Sequence, residues 1–291
     1  MRPQTVYELG SAKIGGAGED ATVLVPSIFY DGHTIVEDEK KGIFDKKTAS
    51  ELIEKTEHLS QITGSPVIYD IVASHESAIV RYIEFVSGRT ENFFLIDSSS
   101  KEVQLRGVKY AEETGLSERA IYNSIDYNSG TEEIEALRNS KVKLVVLMAY
   151  NPMNPLPNGK IETLSRLLKN IDGAGMKPIV DTAVLDAPSI GLAAEAIKLV
   201  KENFALPAGC APSNGVFTCK SFKKFGEARH SINSAVCAYL AACDADFILF
   251  GPIEEAEYVF PAVAAVDGMR GYAARTRGVG VEKEHPLYKI F

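Results

Sequence analysis

The sequence predicts an α/β protein built as a single (β/α)₈ or TIM barrel. Eight short apolar runs of strand length alternate with eight segments of helix length, and such alternation favours parallel strands joined by right-handed crossovers. The chain has 291 residues, a size at which such a barrel forms one domain. Because no linker or low-complexity tract divides residues 1–291, we expect a single domain.

The predicted strands and helices follow one another closely. The strands are expected at 23–29, 67–72, 93–97, 120–124, 142–149, 177–181, 205–209 and 246–250. The helices are expected at 46–61, 76–86, 102–114, 132–139, 161–171, 190–203, 228–243 and 256–275. Asp45 is the predicted N-cap of the first helix and Gly64 its closing glycine. A doubly wound open sheet is the alternative, disfavoured because no glycine-rich turn follows the first strand.

Residues 1–21 form the predicted N-terminal extended segment, a hairpin or lid over one end of the barrel. Within it, residues 14–19 superficially resemble a dinucleotide-binding loop. No buried strand precedes them and no helical pattern follows, so the match is poor. The N-terminus lacks the apolar core of a signal peptide, and no apolar run reaches the length of a membrane helix. We therefore expect a cytoplasmic protein without membrane insertion.

The charge and cysteine content narrow the possible partners. The formal net charge is −8 and the isoelectric point is about 5.3, which argues against nucleic acid or an anionic membrane surface as a partner. The four cysteines form no C-x-x-C pair or cluster with histidine, so no zinc or other metal site is predicted. Cys210 stands out because it lies at a predicted strand end.

Candidate site residues follow from the geometry of this barrel class, in which function resides at the carboxyl ends of the strands. The apolar run from Phe93 ends abruptly in Asp97 and Ser98, and the other strands end in a similar way. The rule selects Tyr30, Asp31, Asp70, Ser74, Asp97, Ser98, Asn123, Ser124, Asn151, Asn154, Asp181, Thr182, Cys210, Ser213, Asn214, Glu254 and Glu255.

This set lacks several common kinds of catalytic group. It contains no lysine for a Schiff base, no histidine cluster for a metal, and no G-x-S-x-G elbow. The Asp, Asn and Ser side chains that remain are well suited to hydrogen-bonding a flat polar heterocycle. In the alternative interpretation, Asp97 and Asp181 merely cap the helices that follow them.

The same residues resemble those of a known group of enzymes. The strand ends 96–98, 122–124 and 180–182, together with Asn214, resemble the pterin-binding barrels of methyltetrahydrofolate:corrinoid methyltransferases. Residues 36–45, 122–125, 151–153 and 250–254 are similar to the H subunit of tetrahydromethanopterin S-methyltransferase and to its bacterial relatives in glycine betaine demethylation. The resemblance runs over nearly the whole chain and implies a TIM barrel of the pterin-binding type.

The resemblance also implies an activity. We expect a methyltransferase that moves a methyl group between a corrinoid, either methylcobalamin or a corrinoid protein, and N5 of tetrahydrofolate. The same reaction with tetrahydromethanopterin, in one component of a larger complex, is the alternative. The corrinoid would come from a partner that docks at the open end of the barrel, with the 30–41 loop as a docking element.

The roles implied for single residues are as follows. Asp97 and Asp181 would hold the pterin ring, and Asn123 would hydrogen-bond the same ring. Asn214 would lie near N5 and, with Asp181, take part in catalysis. Further ring contacts are expected from Asp70, placed at the rim, and from Ser98.

Two other functions remain open from the residues alone. A lyase or hydrolase of this fold would hold Mg²⁺ through Asp97, Asp181 and Glu254, because Mg²⁺ prefers oxygen ligands. A non-catalytic subunit that binds a pterin is the other possibility. The apolar helix at 259–272 is a candidate interface for a homodimer.

Overall fold

The computed structural model describes residues 3–10 and 12–291 of the chain. Twelve strands occur in this described part: β1 (Val6–Leu9), β2 (Ala12–Gly15), β3 (Val23–Ile28), β4 (Val36–Asp38), β5 (Ile43–Phe44), β6 (Tyr69–Val72), β7 (Phe94–Asp97), β8 (Ala120–Ile125), β9 (Leu144–Met148), β10 (Lys177–Asp181), β11 (Ala208–Cys210) and β12 (Phe247–Pro252).

The described residues also contain ten α-helices, most of which pack on the outside of the barrel. They are α1 (Lys46–Thr63), α2 (Glu76–Ser87), α3 (Lys101–Glu113), α4 (Thr131–Asn139), α5 (Pro157–Asn170), α6 (Ile190–Phe204), α7 (Ser213–Thr218), α8 (Arg229–Ala242), α9 (Ala256–Thr276) and α10 (Pro286–Lys289).

Eight strands close into a barrel in the order β10-β11-β12-β3-β6-β7-β8-β9, and neighbouring strands run parallel. The predicted TIM barrel is therefore confirmed. The largest differences lie at two boundaries: the seventh strand was expected at 205–209 but runs from Ala208 to Cys210, and the fifth helix was expected to begin at 161 but begins at Pro157. Ala205 instead ends α6 in a left-handed conformation, with φ of 55°, which a strand residue cannot adopt.

The N-cap and the closing glycine predicted for the first helix are both confirmed. The Asp45 carboxylate accepts hydrogen bonds from the backbone N–H groups of Lys47 at 2.9 Å and Thr48 at 3.2 Å. Gly64 ends the helix with φ of 76°, a left-handed conformation that glycine adopts without strain. These two residues fix the length of α1.

Short elements escaped the sequence prediction because a few residues cannot display a hydrophobic period. The region between the seventh strand and its helix contains α7 and a 3₁₀ helix, Phe222–Ala228. The charged loop after the first barrel strand contains the β4–β5 hairpin. Both lie next to the carboxyl ends of the strands, where loops carry function.

The N-terminal hairpin of β1 and β2 closes the amino end of the barrel. Leu9 and Ile14 are buried in one apolar cluster with residues from inside the barrel, among them Val23. The hairpin approaches Phe93 and Pro207, which immediately precede β7 and β11. The lid predicted over one end of the barrel is thus a plug at the amino end, and the carboxyl end is left open.

Most of the core lies between the strands and the outer helices, as the near-continuous burial of strands in a parallel sheet requires. Tyr69, Tyr82, Tyr122 and Phe94 are among the largest side chains that are completely buried there. In the described part of the chain, no helix is both long and apolar enough to cross a membrane.

Candidate active site

A cavity of about 250 Å³ opens at the carboxyl end of the barrel. Six of the residues selected for the site contribute to its wall: Asp97, Ser98, Asn123, Ser124, Asp181 and Asn214. They come from β7, β8, β10 and α7 and from the turn after β7, so residues far apart in sequence converge on one space. The structure therefore brings together all the predicted ring contacts except Asp70.

The strand register explains why Asp97 and Asn123 are neighbours. The two residues are paired across β7 and β8, so their side chains point to the same face of the sheet. The register between β8 and β9 shifts just after Asn123, and a local irregularity of this kind re-aims side chains at a strand end. Asn123 is 6% exposed and Asp97 is half-buried.

A network of hydrogen bonds and one ion pair on the outer side of β8 holds the backbone of Asn123 in place. The side-chain amide of Gln104 donates to the Asn123 carbonyl. The Tyr122 hydroxyl lies 2.9 Å from Gln104 Oε1 and 2.8 Å from Glu133 Oε1, and Lys101 forms an ion pair with Glu133 at 2.8 Å. Because alternate strand residues point to opposite faces, Tyr122 anchors the strand while Asn123 faces the cavity.

Asp70 is not at the rim, where the sequence interpretation put it. It is 2% exposed and does not line the cavity. Its Oδ2 accepts a 2.7 Å hydrogen bond from the Ser27 hydroxyl, and its carboxyl neighbours Asp97 and Asn123. The sequence could not show this, because β6 continues for two residues beyond Asp70 and leaves it inside the barrel.

Asp70 and Asp97 form a pair of adjacent carboxyl groups, of which Asp70 is buried and Asp97 half-buried. Burial raises the pKa of Asp70 to about 6. Burial, the charge of Asp70 and the charge of Asp181 raise the pKa of Asp97 well above its usual range. Like charges this close cannot both ionise easily, so such a pair retains a proton. Asp70 Oδ1 has no hydrogen-bond partner among the described residues, which leaves an oxygen available to that proton.

Asp181 occupies the opposite side of the cavity from this pair. It is 4% exposed, and burial raises its pKa to about 6, while the Ala183 N–H and Lys160 oppose that rise. Asp181 Oδ1 accepts the Ala183 N–H at 2.6 Å. Within the described chain, no ion pair involves Asp70, Asp97 or Asp181, although Asp70 and Asp181 are buried and Asp97 is half-buried.

Asn214 differs from the other site residues because it is exposed. It lies in the first turn of α7, a helix that the sequence did not predict, and its side chain reaches the mouth of the cavity. Its neighbour Ser213 is packed beside Gly251, where a Cβ atom would approach the Ser213 side chain within 2.6 Å. Close packing at Gly251 thus fixes where α7 begins.

The structure overturns two alternative interpretations. Helix α3 is capped by Ser100, and α6 begins after Ser189, so neither Asp97 nor Asp181 is a helix cap. The set proposed for Mg²⁺ does not assemble, because Glu254 pairs with His33 at 2.9 Å outside the cavity. Among residues 3–10 and 12–291, no group of three acidic, histidine or cysteine side chains is positioned to hold a metal.

The remaining strand-end residues take mainly structural positions. His33 is buried, and its other ring nitrogen, Nδ1, accepts the Phe29 N–H at 3.0 Å. Cys210 is completely buried, and burial raises the pKa of its thiol well above the ordinary value, so it is unsuited to act as a nucleophile. The Ser98 hydroxyl accepts the Ser100 N–H at 3.1 Å and shapes the turn after β7.

Sequence reasoning missed several residues around the cavity. Lys101 and Gln104 line it from the first turn of α3, and the fact that this helix starts just after Asp97 was an available signal. Lys160 lies behind Asp181 in helix α5 and is 2% exposed. No signal in the sequence distinguished it, since lysines on helices are ordinarily at the surface.

The cavity offers carboxyl groups as hydrogen-bond acceptors on two sides. Side-chain amides of the same wall can donate hydrogen bonds as well. Carboxylates accept paired N–H donors, and the Asn123 and Asn214 amides offer both donor and acceptor atoms. A protonated carboxyl in the Asp70–Asp97 pair adds a donor at neutral pH. The wall contains Met148 and Leu249 as well, so a flat heterocycle finds apolar surface beside the polar groups.

Comparison with known proteins identifies the family. Residues 2–283 match the family model described as the tetrahydromethanopterin S-methyltransferase MtrH subunit. The corresponding subunit from Methanothermobacter marburgensis is 36% identical over 304 aligned residues, which cover 99% of this chain and 98% of the relative. The subunit from Methanocaldococcus jannaschii is 34% identical over 313 residues, with 99% and 98% coverage.

Solved structures of low sequence identity share the fold. Yersinia pestis dihydropteroate synthase, solved with a pterine-sulfa conjugate, has a TM-score of 0.63 at 14% identity and covers 92% of this chain and 99% of its own. The synthase from Coxiella burnetii with pteroic acid has a TM-score of 0.62 at 14% identity, with the same coverage of 92% and 99%. The chain therefore belongs to the MtrH family of tetrahydromethanopterin S-methyltransferase, as its motifs indicated, and is a methyltransferase subunit.

Proposed function

We propose that this chain binds tetrahydromethanopterin in the carboxyl-end cavity and transfers a methyl group between a corrinoid and N5 of the pterin. The observation that carries the proposal is the convergence of Asp97, Asn123, Asp181 and Asn214 on one cavity, in a chain of this family. The sequence interpretation put tetrahydrofolate first. The names of the curated relatives, which are MtrH-type subunits of the tetrahydromethanopterin enzyme, favour its alternative.

The site residues fit the hydrogen-bonding edge of a pterin. An ionised Asp181 accepts N–H donors of the ring and its amino group, and the Asn123 amide complements adjacent donor and acceptor atoms. Asp97, with its raised pKa, can donate a proton to a ring acceptor or accept from a donor. Because each of these side chains is fixed by its strand, the ring would be held in one orientation.

Methyl transfer between nitrogen and cobalt requires no nucleophile from the protein. The corrinoid supplies the cobalt that gives or accepts the methyl group. When the methyl group leaves N5, the electron pair of the carbon–nitrogen bond stays on nitrogen, and a proton on N5 makes that departure easier. Asn214, at the cavity mouth, would stabilise the protonated N5 through its side-chain oxygen. Asp97, whose pKa is raised by burial and by the charge of Asp70, would be a source of that proton within the site.

The position of the cavity supports a partner that delivers the corrinoid. The amino end of the barrel is closed by the β1–β2 hairpin, so the second reactant would approach at the carboxyl end. There the loop at 30–41, with its β4–β5 hairpin, is the proposed docking element. The relatives are named as a subunit of an enzyme, and we propose the same kind of assembly here. A homodimer through residues 259–272 and a cytoplasmic location stay predictions.

A methylcobalamin assay tests the proposed reaction. The purified chain is mixed with methylcobalamin and either tetrahydromethanopterin or tetrahydrofolate, and the absorbance change at cobalt is followed. We expect demethylation with tetrahydromethanopterin and a much slower reaction with tetrahydrofolate. Faster reaction with tetrahydrofolate would reverse the choice of pterin.

Two further arms separate the competing functions. Activity that is lost in EDTA and restored by Mg²⁺ would favour a metal-dependent enzyme over methyl transfer. Calorimetric binding of tetrahydromethanopterin without any reaction would favour a non-catalytic pterin-binding subunit. Absence of both binding and reaction would contradict the proposal.

A further inference from the structure

Lys160 is a buried lysine directly behind the cavity. It lies near the start of α5 and is 2% exposed, a position that lysine takes only when its ammonium group has partners. Its Nζ donates a 2.9 Å hydrogen bond to the Ala183 carbonyl. No other hydrogen bond or ion pair of this ammonium group occurs among the described residues, so Asp181 is the anion available to compensate its charge.

The start of α5 is built to bury this side chain. Gly159 packs so closely against Asn154 that a Cβ atom would lie 2.2 Å from the Asn154 carbonyl oxygen. Any other residue at Gly159 would push the helix away from the loop. The close approach lets Lys160 extend inward to the turn after β10, where its ammonium group meets the Ala183 carbonyl.

Lys160 and Asp181 hold the same turn from two sides. Lys160 binds the carbonyl of Ala183, and Asp181 Oδ1 binds the N–H of Ala183 at 2.6 Å. Ala183 has φ of 52°, an unfavourable left-handed conformation for a residue with a side chain. Two hydrogen bonds at one strained residue fix the turn, and with it the direction of the Asp181 carboxylate.

We propose that Lys160 is a positioning residue for methyl transfer, which keeps Asp181 ionised and correctly oriented toward the pterin. The inference rests on the proposed function, because it presumes that Asp181 binds the pterin ring. Lys160 does not itself line the cavity, and it acts through Asp181 and Ala183.

Other ionisable groups that face Asp181 do not replace this lysine. Cys210 on β11 and Asp97 across the barrel would both disfavour a negative charge on Asp181 when ionised. Lys101 and Asp126 line the cavity farther out, and Lys101 is already paired with Glu133. Lys160, from α5, is therefore the cation that acts on Asp181, and it lowers the pKa of that carboxyl.

The test compares four forms of the chain by calorimetric titration with tetrahydromethanopterin between pH 5 and pH 9. Lys160→Gln keeps an N–H donor for Ala183 and loses the charge, while Lys160→Met loses both. Lys201→Met is the matched control, because Lys201 is a buried lysine that pairs with Asp246 at 2.6 Å, far from the cavity. The unsubstituted chain is the fourth form.

In both Lys160 variants we expect the midpoint of the acid-side loss of affinity to move up by about 1 pH unit, as removal of a nearby cation raises the pKa of a carboxyl group. Affinity should fall about twofold at pH 7 and nearly tenfold at pH 5, because a 1-unit rise from a pKa of about 6 acts most strongly on the acid side of the midpoint. Lys201→Met should keep the midpoint of the unsubstituted chain. In an Asp181→Asn background, Lys160→Gln should produce no further shift, since the group that titrates is absent.

The possible results separate the inference from the proposed function. An unchanged midpoint in folded Lys160 variants would overturn the inference and leave the proposed function intact. Unfolding of both Lys160 variants, with Lys201→Met folded, would show a residue needed for stability and also overturn it. Absence of binding by the unsubstituted chain at every pH would instead contradict the proposed function.

Discussion

The two ends of this barrel treat their aspartates in opposite ways. At the amino end, Asp246 is paired with Lys201 at 2.6 Å and accepts the Ala208 N–H at 2.8 Å. The Asp267 carboxylate accepts a hydrogen bond from the Thr22 backbone N–H, and its Oδ1 lies 3.1 Å from Arg270 Nη1. At the carboxyl end, Asp70, Asp97 and Asp181 take part in no ion pair within the described chain.

This difference separates stability from function in one fold. A fully paired buried charge fixes the start of a strand, and removing one partner is costly. An unpaired buried carboxyl group costs folding free energy, and it is retained where a ligand will supply the missing partner. The β1–β2 hairpin seals the paired end, whereas the unpaired end opens to solvent.

The largest expected effect breaks the paired end. Lys201→Met leaves the Asp246 carboxylate buried without its cation, and we expect the free energy of unfolding to fall by about 3 kcal/mol. Urea unfolding at pH 7 measures this loss. Pterin affinity of the folded variant should be unchanged. A stability loss below about 1 kcal/mol would show that the amino end does not depend on this ion pair.

The second prediction concerns the pH dependence of stability at the open end. Asp70 has a pKa of about 6 in the folded state, raised from 3.8 by burial. The folded chain therefore holds a proton that the unfolded chain releases, and stability from this group is full below pH 4 and is lost as pH rises from 4 to 6. The corresponding free energy is about 3 kcal/mol.

Asp70→Asn removes the carboxyl group whose raised pKa causes this pH dependence of stability. As pH rises from 4.5 to 7, we expect Asp70→Asn to become more stable relative to the unsubstituted chain. Urea unfolding at pH 4.5 and at pH 7 measures this change. Asp31→Asn, at an exposed position, serves as the control and should show no such gain. If Asp70→Asn behaves like the control, Asp70 itself holds no proton in the folded chain at these pH values.

The third prediction is a loss of ligand binding in a variant that still folds. Asp181→Asn keeps the size of the side chain and removes the negative acceptor. We expect pterin affinity to weaken by more than ~1.5 kcal/mol, the scale of a hydrogen bond to a charged group. Calorimetry measures the affinity of the folded variant, and urea unfolding reports separately the stability lost because Lys160 no longer has the Asp181 charge beside it. Unchanged affinity would remove Asp181 from the pocket.

The smallest predicted effect is kinetic. Asn214 is exposed at the mouth of the cavity, so Asn214→Ala should leave stability and pterin affinity nearly unchanged. We expect the methyl-transfer rate to fall about tenfold, or about 1.4 kcal/mol in the barrier. Single-turnover kinetics with methylcobalamin measure the rate. A tenfold loss of pterin affinity with an unchanged methyl-transfer rate would show that Asn214 is a binding residue only.

The closed barrel and nearly half of the cavity wall were predictable because both follow from local patterns. Alternating apolar runs define the strands, and the carboxyl-end rule then selects Asp97, Asn123 and Asp181 without knowledge of any contact. Asn214 was selected by its distance after the seventh strand, although the helix that carries it was not predicted.

What could not be predicted depends on depth and on packing between distant elements. Asp70 ends inside the barrel because of how far β6 continues, which the sequence does not reveal. Lys160 is buried because Gly159 lets α5 approach Asn154, a tertiary contact with no local pattern. The pairing of Glu254 with His33 likewise joins two loops that are far apart in the sequence.

The central claim is that the open end of the barrel binds the pterin. The most direct test is a crystal structure of the chain with tetrahydromethanopterin. We predict that the pterin ring lies in the cavity at the carboxyl end, hydrogen-bonded to Asp97, Asn123 and Asp181, with N5 facing the Asn214 side. A pterin bound at any other place on the chain, with this cavity empty, would contradict the account.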